Sequence, residues 1–305
     1  SFTLRSKVVV QATGAWTDEL RGGSGHIRPL RGSHLLLPGW RLPVAHAFSF
    51  MHAEDKRPVF VFPWEGATVV GTTDLDHAEP LAQEARISRA EVDYLLRACA
   101  QQFPTAQIER SDVLSTWAGV RPVVGTELAQ RKPSEEKREH TLWVEPGCVT
   151  LAGGKLTPFR LLALEALRAC AGFIDRPLKG DETAAVFCPP PAVELPGLTA
   201  AAQRRLAGRY GLALPALARL LEELGPEPVG HTNTLWAELA YACDAELVLH
   251  LDDLLLRRTR VGLLLERGGA DLLASIRALC QPRLGWDDAR WQLEERDYLQ
   301  LWQQY

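Results

Sequence analysis

The chain has 305 residues, of which 46% are hydrophobic and 24% charged, and its formal net charge at pH 7 is −4. This length can bury a sizeable core in one large or two medium domains, and the negative charge argues against a general nucleic-acid binder. No run approaches the roughly 18 to 20 apolar residues of a membrane-spanning helix, and no signal-peptide pattern opens the sequence. We therefore expect a cytoplasmic protein in which any membrane contact is peripheral.

The six cysteines are scattered along the sequence, without a C-x-x-C pair or the Cys/His spacing of a zinc site. This usage indicates reduced thiols and gives no candidate metal ligands. The sequence also lacks the G-x-G-x-x-G dinucleotide fingerprint, the Walker A loop, and the G-x-S-x-G and H-E-x-x-H motifs of hydrolases. A hydrolase of either kind is therefore excluded.

The first predicted element is a strand followed by a turn. Residues Lys7–Gln11 have the pattern of a buried strand. The segment Ala12–Trp16, with the sequence ATGAW, then reads as a tight turn.

Short strands separated by proline and glycine predict an antiparallel sheet in the next part of the chain. Leu35–Leu37 and Val59–Phe62 are two such strands, and Thr68–Asp74 is a third that ends in a tight turn. Arg31–His34, with the sequence RGSH, lies just ahead of the first of them. Capping of the turn is the simplest role for the side chain of Asp74.

A scaffold helix is predicted over Ile87–Phe103. Ser88 can cap its N-terminus, and Glu91 follows three residues later in the pattern of a capping box. Its single apolar stripe consists of Val92, Leu95, Leu96 and Cys99.

The segment Val113–Gly125 predicts a strand that carries a charge in an apolar setting. Gly119 and Arg121 lie within it, and Pro122 follows. An unpaired buried charge costs several kcal/mol, so Arg121 needs an anionic partner. The residues leave open whether that partner is a protein carboxylate or a ligand.

A strand, a glycine turn and a helix follow one another from Cys148 onward. Cys148–Ala152 is small and β-branched, as in a short buried strand, and Gly153 and Gly154 come next. The two glycines allow backbone angles closed to other residues and let another molecule approach the main chain.

The helix after this turn is expected to begin with Thr157 as its N-cap and Pro158 as its first helical residue. It is apolar nearly all round up to Gly172, which predicts burial against a sheet. The glycine N–H groups, the helix N-terminus and the ammonium of Lys155 would together attract an anion.

The last third of the chain is predicted to be helical. Residues 173–198 are rich in proline and charge and read as a linker, and we expect residues 199–305 to form a separate helical domain. Within it, Leu251–Leu263 brings several arginines onto one helix, a pattern typical of a solvated or salt-bridged face. These arginines are Arg257, Arg258 and Arg260.

Five stretches in order resemble the FAD-dependent glycerol-3-phosphate dehydrogenases, in the D-amino-acid-oxidase-like flavoprotein group. They are ATGAW, RGSH, GVRP, GGKLT and DDLLLRRTR, and they lie between Gln11 and Leu263. The resemblance implies an α+β fold. Residues 1–172 would hold an antiparallel-sheet substrate domain and the end of an FAD-binding α/β domain, formed by residues 1–18 and 148–172, and an all-α domain would begin at residue 199.

The same resemblance implies an activity and its partners. The reaction would be oxidation of sn-glycerol 3-phosphate to dihydroxyacetone phosphate, with FAD as the cofactor and a quinone as the electron acceptor. The full-length enzyme would associate peripherally with the inner face of the cell membrane, and a homodimer is an open possibility. Because the family carries its G-x-G-x-x-G region ahead of the ATG element, we expect this chain to be a fragment.

Site residues carry over from the family by position. His34 would accept the proton of the C2 hydroxyl, Arg121 and Arg138 would bind the phosphate, and Lys155 would offset charge on the reduced flavin. His34, Arg121 and Lys155 are therefore the catalytic candidates, whereas Arg138 precedes Glu139 at a position where the family has Asp. The expected flavin contacts are Ala12, Thr13, Gly14, Gly32, Ser33, Gly153, Gly154, Lys155, Leu156 and Thr157.

Two other functions remain open from the sequence. The chain could be a non-catalytic assembly module, which absence of flavin absorbance would favour. It could also be a related flavin oxidase that acts on an amino acid or amine, which substrate assays distinguish.

Overall fold

A computed structural model describes residues 3–23, 25–125, 139–174 and 181–303. The strands are β1 (Val9–Gln11), β2 (Ile27–Pro38), β3 (Phe48–Met51), β4 (Pro58–Trp64), β5 (Ala67–Gly71), β6 (Leu75–Asp76), β7 (Ser115–Val124), β8 (His140–Glu145) and β9 (Cys148–Gly153). The α-helices are α1 (Thr17–Arg21), α2 (Arg89–Gln102), α3 (Phe159–Cys170), α4 (Ala200–Tyr210), α5 (Leu214–Leu224), α6 (Trp236–Ala245), α7 (Leu273–Leu284) and α8 (Asp288–Trp302).

The fold is mixed α+β, as predicted, and its chain forms two compact units. The first unit comprises Ser1–Ser33, Thr73–Ala85 and Ala118–Ala185. The second comprises His34–Thr72, Arg86–Trp117 and Val186–Tyr305. The division into domains at residues 172 and 199 stays a prediction. Among the described residues, no helix has both the length and the apolar character that crossing a membrane requires.

The first unit contains a three-stranded sheet in the order β1-β9-β8. Strand β1 runs parallel to β9, with Gln11 opposite Thr150, and β8 pairs with β9 in the antiparallel sense. Helix α3 packs against this sheet, because Ala166 and Cys170 share a buried cluster with Val149 of β9. The strand predicted at Cys148–Ala152 is confirmed.

One burial prediction for this sheet is wrong, and another holds only in part. Val9 and Val10 were expected inside, yet 51% and 46% of their surfaces are exposed, since β1 is an edge strand. Helix α3 buries a single stripe, whereas Leu161 and Leu167 on its other face are 53% and 45% exposed. Among the described residues, α3 therefore buries only the face that packs on the sheet, although its sequence is apolar nearly all round.

The ends of α3 also differ from the sequence prediction. The helix begins at Phe159 with Pro158 as its N-cap and no side-chain cap, so Thr157 does not cap it. A backbone bond from the N–H of Phe159 to the carbonyl of Leu156, 3.1 Å long, closes the turn that leads into the helix. The helix ends at Cys170 and continues as a 3₁₀ turn through Gly172, so this glycine does not terminate it.

The second unit contains the predicted antiparallel strands, with β4 between β3 and β5. Helix α2 covers one face of these strands and buries Leu95 and Cys99 in the same cluster as Val59 and Val61. Its predicted capping box is confirmed. The hydroxyl of Ser88 accepts from the N–H of Glu91 at 3.3 Å, and the Glu91 carboxylate accepts from the N–H of Ser88 at 2.8 Å.

Strand β2 is longer than the sequence indicated. It runs over twelve residues, and Arg31–His34 lies within it rather than ahead of it. Backbone pairing explains the difference, because Arg31 lies opposite Leu75 of β6 and His34 lies opposite Gly71 of β5. The strand predicted at Thr68–Asp74 conversely stops at Gly71.

The predicted helices of the C-terminal third are present and share a core with strands of the same unit. Trp291 and Tyr298 of α8 belong to one buried cluster with Leu36, Ala67 and Val69. The sheet of this unit therefore completes the hydrophobic core of its helices.

The arginine-rich segment is not one regular helix. It forms a π-helical turn over Asp253–Arg258, in which Arg257 is ion-paired with Asp252 and Asp253. Arg260 lies beyond that turn with a positive φ of 59°, and its guanidinium lies over the ring of Trp64 at 5.3 Å. Burial, followed by the charge of nearby Arg209, lowers the pKa of Arg260. Arg257 is therefore exposed and salt-bridged, as predicted, whereas Arg260 is half-buried against an indole.

A buried carboxylate fixes α4 against the start of α6. Glu238 is fully buried, and it accepts from Arg205 at 2.5 Å, from the hydroxyl of Tyr210 at 3.0 Å and from the N–H of Leu235 at 2.8 Å. Burial, and then the charge of Glu238, raises the pKa of Tyr210, so the phenol keeps its proton and donates.

We predict that Glu238→Gln lowers the free energy of unfolding by roughly 2 to 4 kcal/mol, because it removes the fully buried counter-charge of Arg205 and leaves Glu65, 3.3 Å from Nη1, as the remaining carboxylate beside it. The matched control is Asp271→Asn, since Asp271 forms an exposed i,i+4 pair with Arg267 and should change stability by less than about 0.5 kcal/mol. Urea denaturation measures both. If both variants lost the same free energy of unfolding, the buried pair would contribute no more to stability than the exposed pair.

Candidate functional site

The guanidinium of Arg121 lies directly on the backbone of Gly32. A Cβ built on Gly32 would lie 2.2 Å from both terminal nitrogens of Arg121, so only glycine leaves room for this group. Nη1 of Arg121 lies 3.4 Å from Oδ1 of Asp74 and 3.5 Å from the carbonyl oxygen of Thr73. The anionic partner that the sequence required is therefore, at least in part, a protein carboxylate.

The segment that carries Asp74 is itself tied to β2. The N–H of Ser33 donates to the hydroxyl of Thr73 at 3.0 Å, and the N–H of Thr73 returns a bond of 3.3 Å to the carbonyl of Ser33. Sequence reasoning assigned Asp74 only to turn capping and gave Thr73 no role. The only signal was a Thr-Asp pair shortly after an apolar strand, and nothing in the sequence links that pair to Arg121.

A cavity of about 320 Å³ brings Arg121 together with the glycine turn after β9. It is lined by Arg121, Pro122, Val123, Gly154, Lys155 and Leu156. Lys155 and Leu156 are exposed, and Gly153 and Gly154 have φ angles of 75° and 84°. The two glycines thus adopt the left-handed backbone that their sequence predicted.

Eight of the ten expected flavin contacts lie where two neighbouring strands end, whereas Gly32 and Ser33 lie within β2. Ala12–Gly14 follows β1, Gly153–Thr157 begins with the last residue of β9, and these two strands are adjacent and parallel. Ligands of α/β sheets commonly bind outside the carboxyl ends of parallel strands. A Cβ at Gly14 would meet nothing within 4 Å, so this turn is open on its outer side. Open glycine backbone, the start of α3 and a lysine form a donor set that fits an electron-rich or anionic ring system.

His34 lies in the second unit, opposite Gly71 in the ladder between β2 and β5. Its ring occupies the space beside the glycine, because a Cβ on Gly71 would lie 2.2 Å from Cδ2 of His34. The same ring lies 5.3 Å from the ring of Trp117, at a tilt of 37°. The imidazole is therefore half-buried between a glycine and an indole of its own unit.

Arg138, the expected second phosphate ligand, lies outside the described residues. The structure thus brings Arg121 together with Gly32 and Ser33 and with Gly154, Lys155 and Leu156, all within the first unit. A contact that the sequence did not indicate lies beside the glycine turn: Nε2 of His140 is 2.7 Å from a carboxylate oxygen of Glu165 on α3.

Two family models match the chain. One, described as FAD dependent oxidoreductase, matches residues 2–157. The other, described as C-terminal domain of alpha-glycerophosphate oxidase, matches residues 151–291. Together they cover both the glycine turn and the helical region.

Curated relatives match nearly the whole of this chain. Glycerol-3-phosphate dehydrogenase 2 of Mycobacterium tuberculosis is 32% identical over 97% of this chain and 53% of its own length. The aerobic glycerol-3-phosphate dehydrogenase of Staphylococcus epidermidis is 31% identical over 85% of this chain and 51% of its own length. The chain therefore spans about half the length of the curated relatives it matches.

A solved structure shares the fold. The glycerol-3-phosphate dehydrogenase from Bacillus halodurans, complexed with FAD, matches with a TM-score of 0.75 at 24% identity, over 97% of this chain and 62% of that one. This likeness supports the α+β architecture described above.

We predict that Gly32→Ala displaces the guanidinium of Arg121 and weakens binding of inorganic phosphate about tenfold, because phosphate recognition depends on the orientation of the arginine fork. The matched control is Gly119→Ala, two positions before Arg121 on β7, where a Cβ meets nothing within 4 Å. Isothermal titration calorimetry compares the two. If Gly32→Ala and Gly119→Ala bound phosphate equally well, the contact of Arg121 with Gly32 would not determine anion binding.

Proposed function

The chain belongs to the FAD-dependent oxidoreductase family whose model matches residues 2–157, and on that premise we propose that it takes part in oxidising sn-glycerol 3-phosphate to dihydroxyacetone phosphate. The single observation that carries the proposal is the cavity in which Arg121 and Lys155 lie together. Two cations at one cavity suit a phosphate dianion, and the names of the curated relatives supply the substrate.

In this proposal Arg121 binds the substrate phosphate. A guanidinium offers a planar fork that matches phosphate geometry, which the single ammonium of a lysine does not. Asp74 beside it is mostly buried, with 8% of its side chain exposed, and Arg121 is 29% exposed. The arginine is therefore both anchored on the protein side and accessible from the solvent side.

His34 is proposed as the group that accepts the proton of the C2 hydroxyl. An imidazole is the side chain whose ordinary pKa lies nearest to neutral pH, which suits a general base. Packing against Trp117 and Gly71 limits the orientations of the ring. A fixed ring keeps its basic nitrogen in one direction during turnover.

FAD would be held by the turns Ala12–Gly14 and Gly153–Thr157. Gly32 and Ser33 were also expected to contact it, but Ser33 is fully buried and Gly32 lies under the guanidinium of Arg121. When bound, the isoalloxazine supplies hydride acceptance. The backbone N–H groups of the glycine turn and the ammonium of Lys155 would offset negative charge near this position. Quinone as the final acceptor, association with the inner face of the cell membrane and a homodimer belong to this proposal as well.

We further propose that this chain does not itself supply the pyrophosphate anchor of such an enzyme. Its length is about half that of the curated relatives, and no G-x-G-x-x-G occurs in it. In dinucleotide-binding folds that motif opens the helix whose N-terminus takes the pyrophosphate. The present residues would then contact the flavin ring without anchoring the rest of the cofactor.

We predict that the chain alone does not retain FAD through gel filtration, because the pyrophosphate anchor is not in its sequence. The absorbance spectrum of the eluted protein measures bound flavin. Stoichiometric flavin in the protein peak would show that these residues suffice to hold the cofactor, and it would overturn the proposal that the chain does not supply the pyrophosphate anchor.

In a protein that joins this chain to the dinucleotide-binding half, we predict that Arg121→Ala lowers kcat/KM for glycerol 3-phosphate by about two to four orders of magnitude. Each charge-assisted hydrogen bond to phosphate contributes roughly 1.5 to 3 kcal/mol. Arg121→Lys should restore only part of the loss. Steady-state kinetics on the two variants and the unmodified enzyme measure both effects.

Glycerol is the control substrate for this measurement, because it lacks the phosphate. It should be a poor substrate for every form of the enzyme, and its kcat/KM should fall little further in the Arg121 variants. Misfolding, in contrast, would lower kcat/KM for both substrates by the same factor. If Arg121→Ala lowered kcat/KM by the same factor for both substrates while the enzyme still bound FAD, the phosphate assignment would be wrong. Arg121 would then support the fold or contact the flavin.

A further inference from the structure

The contacts around Arg121 single out Asp74, which the sequence analysis expected only to cap a turn. The carboxylate of Asp74 and the carbonyl of Thr73 both face the same nitrogen, Nη1 of Arg121, at 3.4 and 3.5 Å. The guanidinium lies on the backbone of Gly32, where a Cβ would be 2.2 Å from its terminal nitrogens. The arginine is thus bounded by a backbone surface below and by two acceptors at its side.

The side that carries the acceptors is rigidly placed. Thr73 exchanges two hydrogen bonds with Ser33, and both residues are almost fully buried, at 3% and 0% exposure. Asp74 follows directly and is itself 6% exposed. An arginine side chain has several rotatable bonds whose freedom must be lost when it binds a ligand in one orientation. A fixed carboxylate next to it removes part of that freedom in advance.

We propose that Asp74 is a positioning residue, which holds the guanidinium of Arg121 in the orientation that binds a phosphate monoester. The inference rests on the proposed function, since it assigns the phosphate of the substrate to Arg121. It concerns Asp74 alone, and it would fail on its own if Arg121 bound phosphate equally well without this carboxylate.

Asp74 has two opposite effects on the affinity of Arg121 for a phosphate. Its negative charge repels a phosphate, so removing it would tighten binding if repulsion dominated. Its contact orders Arg121, so removing it weakens binding if orientation dominates. Because Asp74 lies on the Thr73 side of a guanidinium seated on Gly32, we assign the larger effect to orientation. The direction of the change in affinity therefore decides the question.

The structure offers a matched control two residues away. Asp76 on β6 pairs with a different arginine, Arg28 of β2, at 2.6 Å from Nε and 2.8 Å from Nη2. Its side chain is 59% exposed. Replacing Asp76 removes the same charge from the same segment without touching Arg121.

The experiment is a calorimetric double-mutant cycle on the full chain, with glycerol 3-phosphate and glycerol as the probes. We expect Asp74→Ala to weaken glycerol 3-phosphate binding about tenfold and Asp74→Asn, which keeps an acceptor oxygen, to lose less. Asp76→Ala should leave the affinity within about twofold. In the Arg121→Ala background, Asp74→Ala should have no further effect, because a positioning residue acts through its partner.

The outcomes separate this inference from the proposed function. If Arg121→Ala left glycerol 3-phosphate binding unchanged, the phosphate site itself would be wrong. If Arg121→Ala lost affinity while Asp74→Ala bound as tightly as the unmodified chain, or more tightly, only the positioning role would be overturned. A loss with Asp74→Ala that persisted in the Arg121→Ala background would also overturn it.

A readout without ligand covers the case in which binding is too weak to titrate. The Nε–H signal of Arg121 in a nitrogen-15 NMR spectrum, assigned through Arg121→Lys, reports rotation of the guanidinium. We expect slow rotation in the unmodified chain and in Asp76→Ala, and fast rotation in Asp74→Ala. Equal rotation rates in all three would contradict the positioning role.

Discussion

The position of one guanidinium is the constraint on which the candidate site of the first unit depends. Arg121 is seated on Gly32, where a side chain of any size would collide with it. Asp74 and Thr73 bound it on one side, and the cavity shared with Gly154 and Lys155 begins on another. A cation on an apolar strand is costly unless it is paired, and here the pairing also directs it. The same contacts that stabilise the charge in the protein thus prepare it for an anionic ligand.

Features that depend on neighbours along the chain could be predicted from the sequence. The capping box of α2 needs only Ser88 and Glu91. The strand at Cys148 and the left-handed glycines after it depend on local composition, and both were found where expected. Because β1 lies parallel to β9, these local predictions also place the turn at Gly14 at the same sheet edge. That pairing comes from the structure, whereas the flavin contacts themselves were taken from the family resemblance and stay a prediction.

Features that depend on contacts between distant parts of the chain could not be predicted from the sequence. The acceptor that pairs with Arg121 lies 47 residues earlier, and nothing in either segment indicates the other. The exposure of Val9, and of Leu161 on α3, depends on what packs against an edge strand and a helix face, which composition does not report. Arg260 does not lie on the expected basic helix face, because a π-helical turn precedes it and Arg260 itself has a positive φ. Backbone irregularity of this kind has no simple sequence signal.

The central claim is that Arg121 binds the phosphate of the substrate, and a crystal structure of the chain with glycerol 3-phosphate tests it most directly. The account predicts phosphate oxygens about 3 Å from the terminal nitrogens of Arg121, inside the cavity that Lys155 also lines, with Asp74 still beside the guanidinium. Phosphate bound elsewhere, with the cavity at Arg121 occupied only by water, would contradict it.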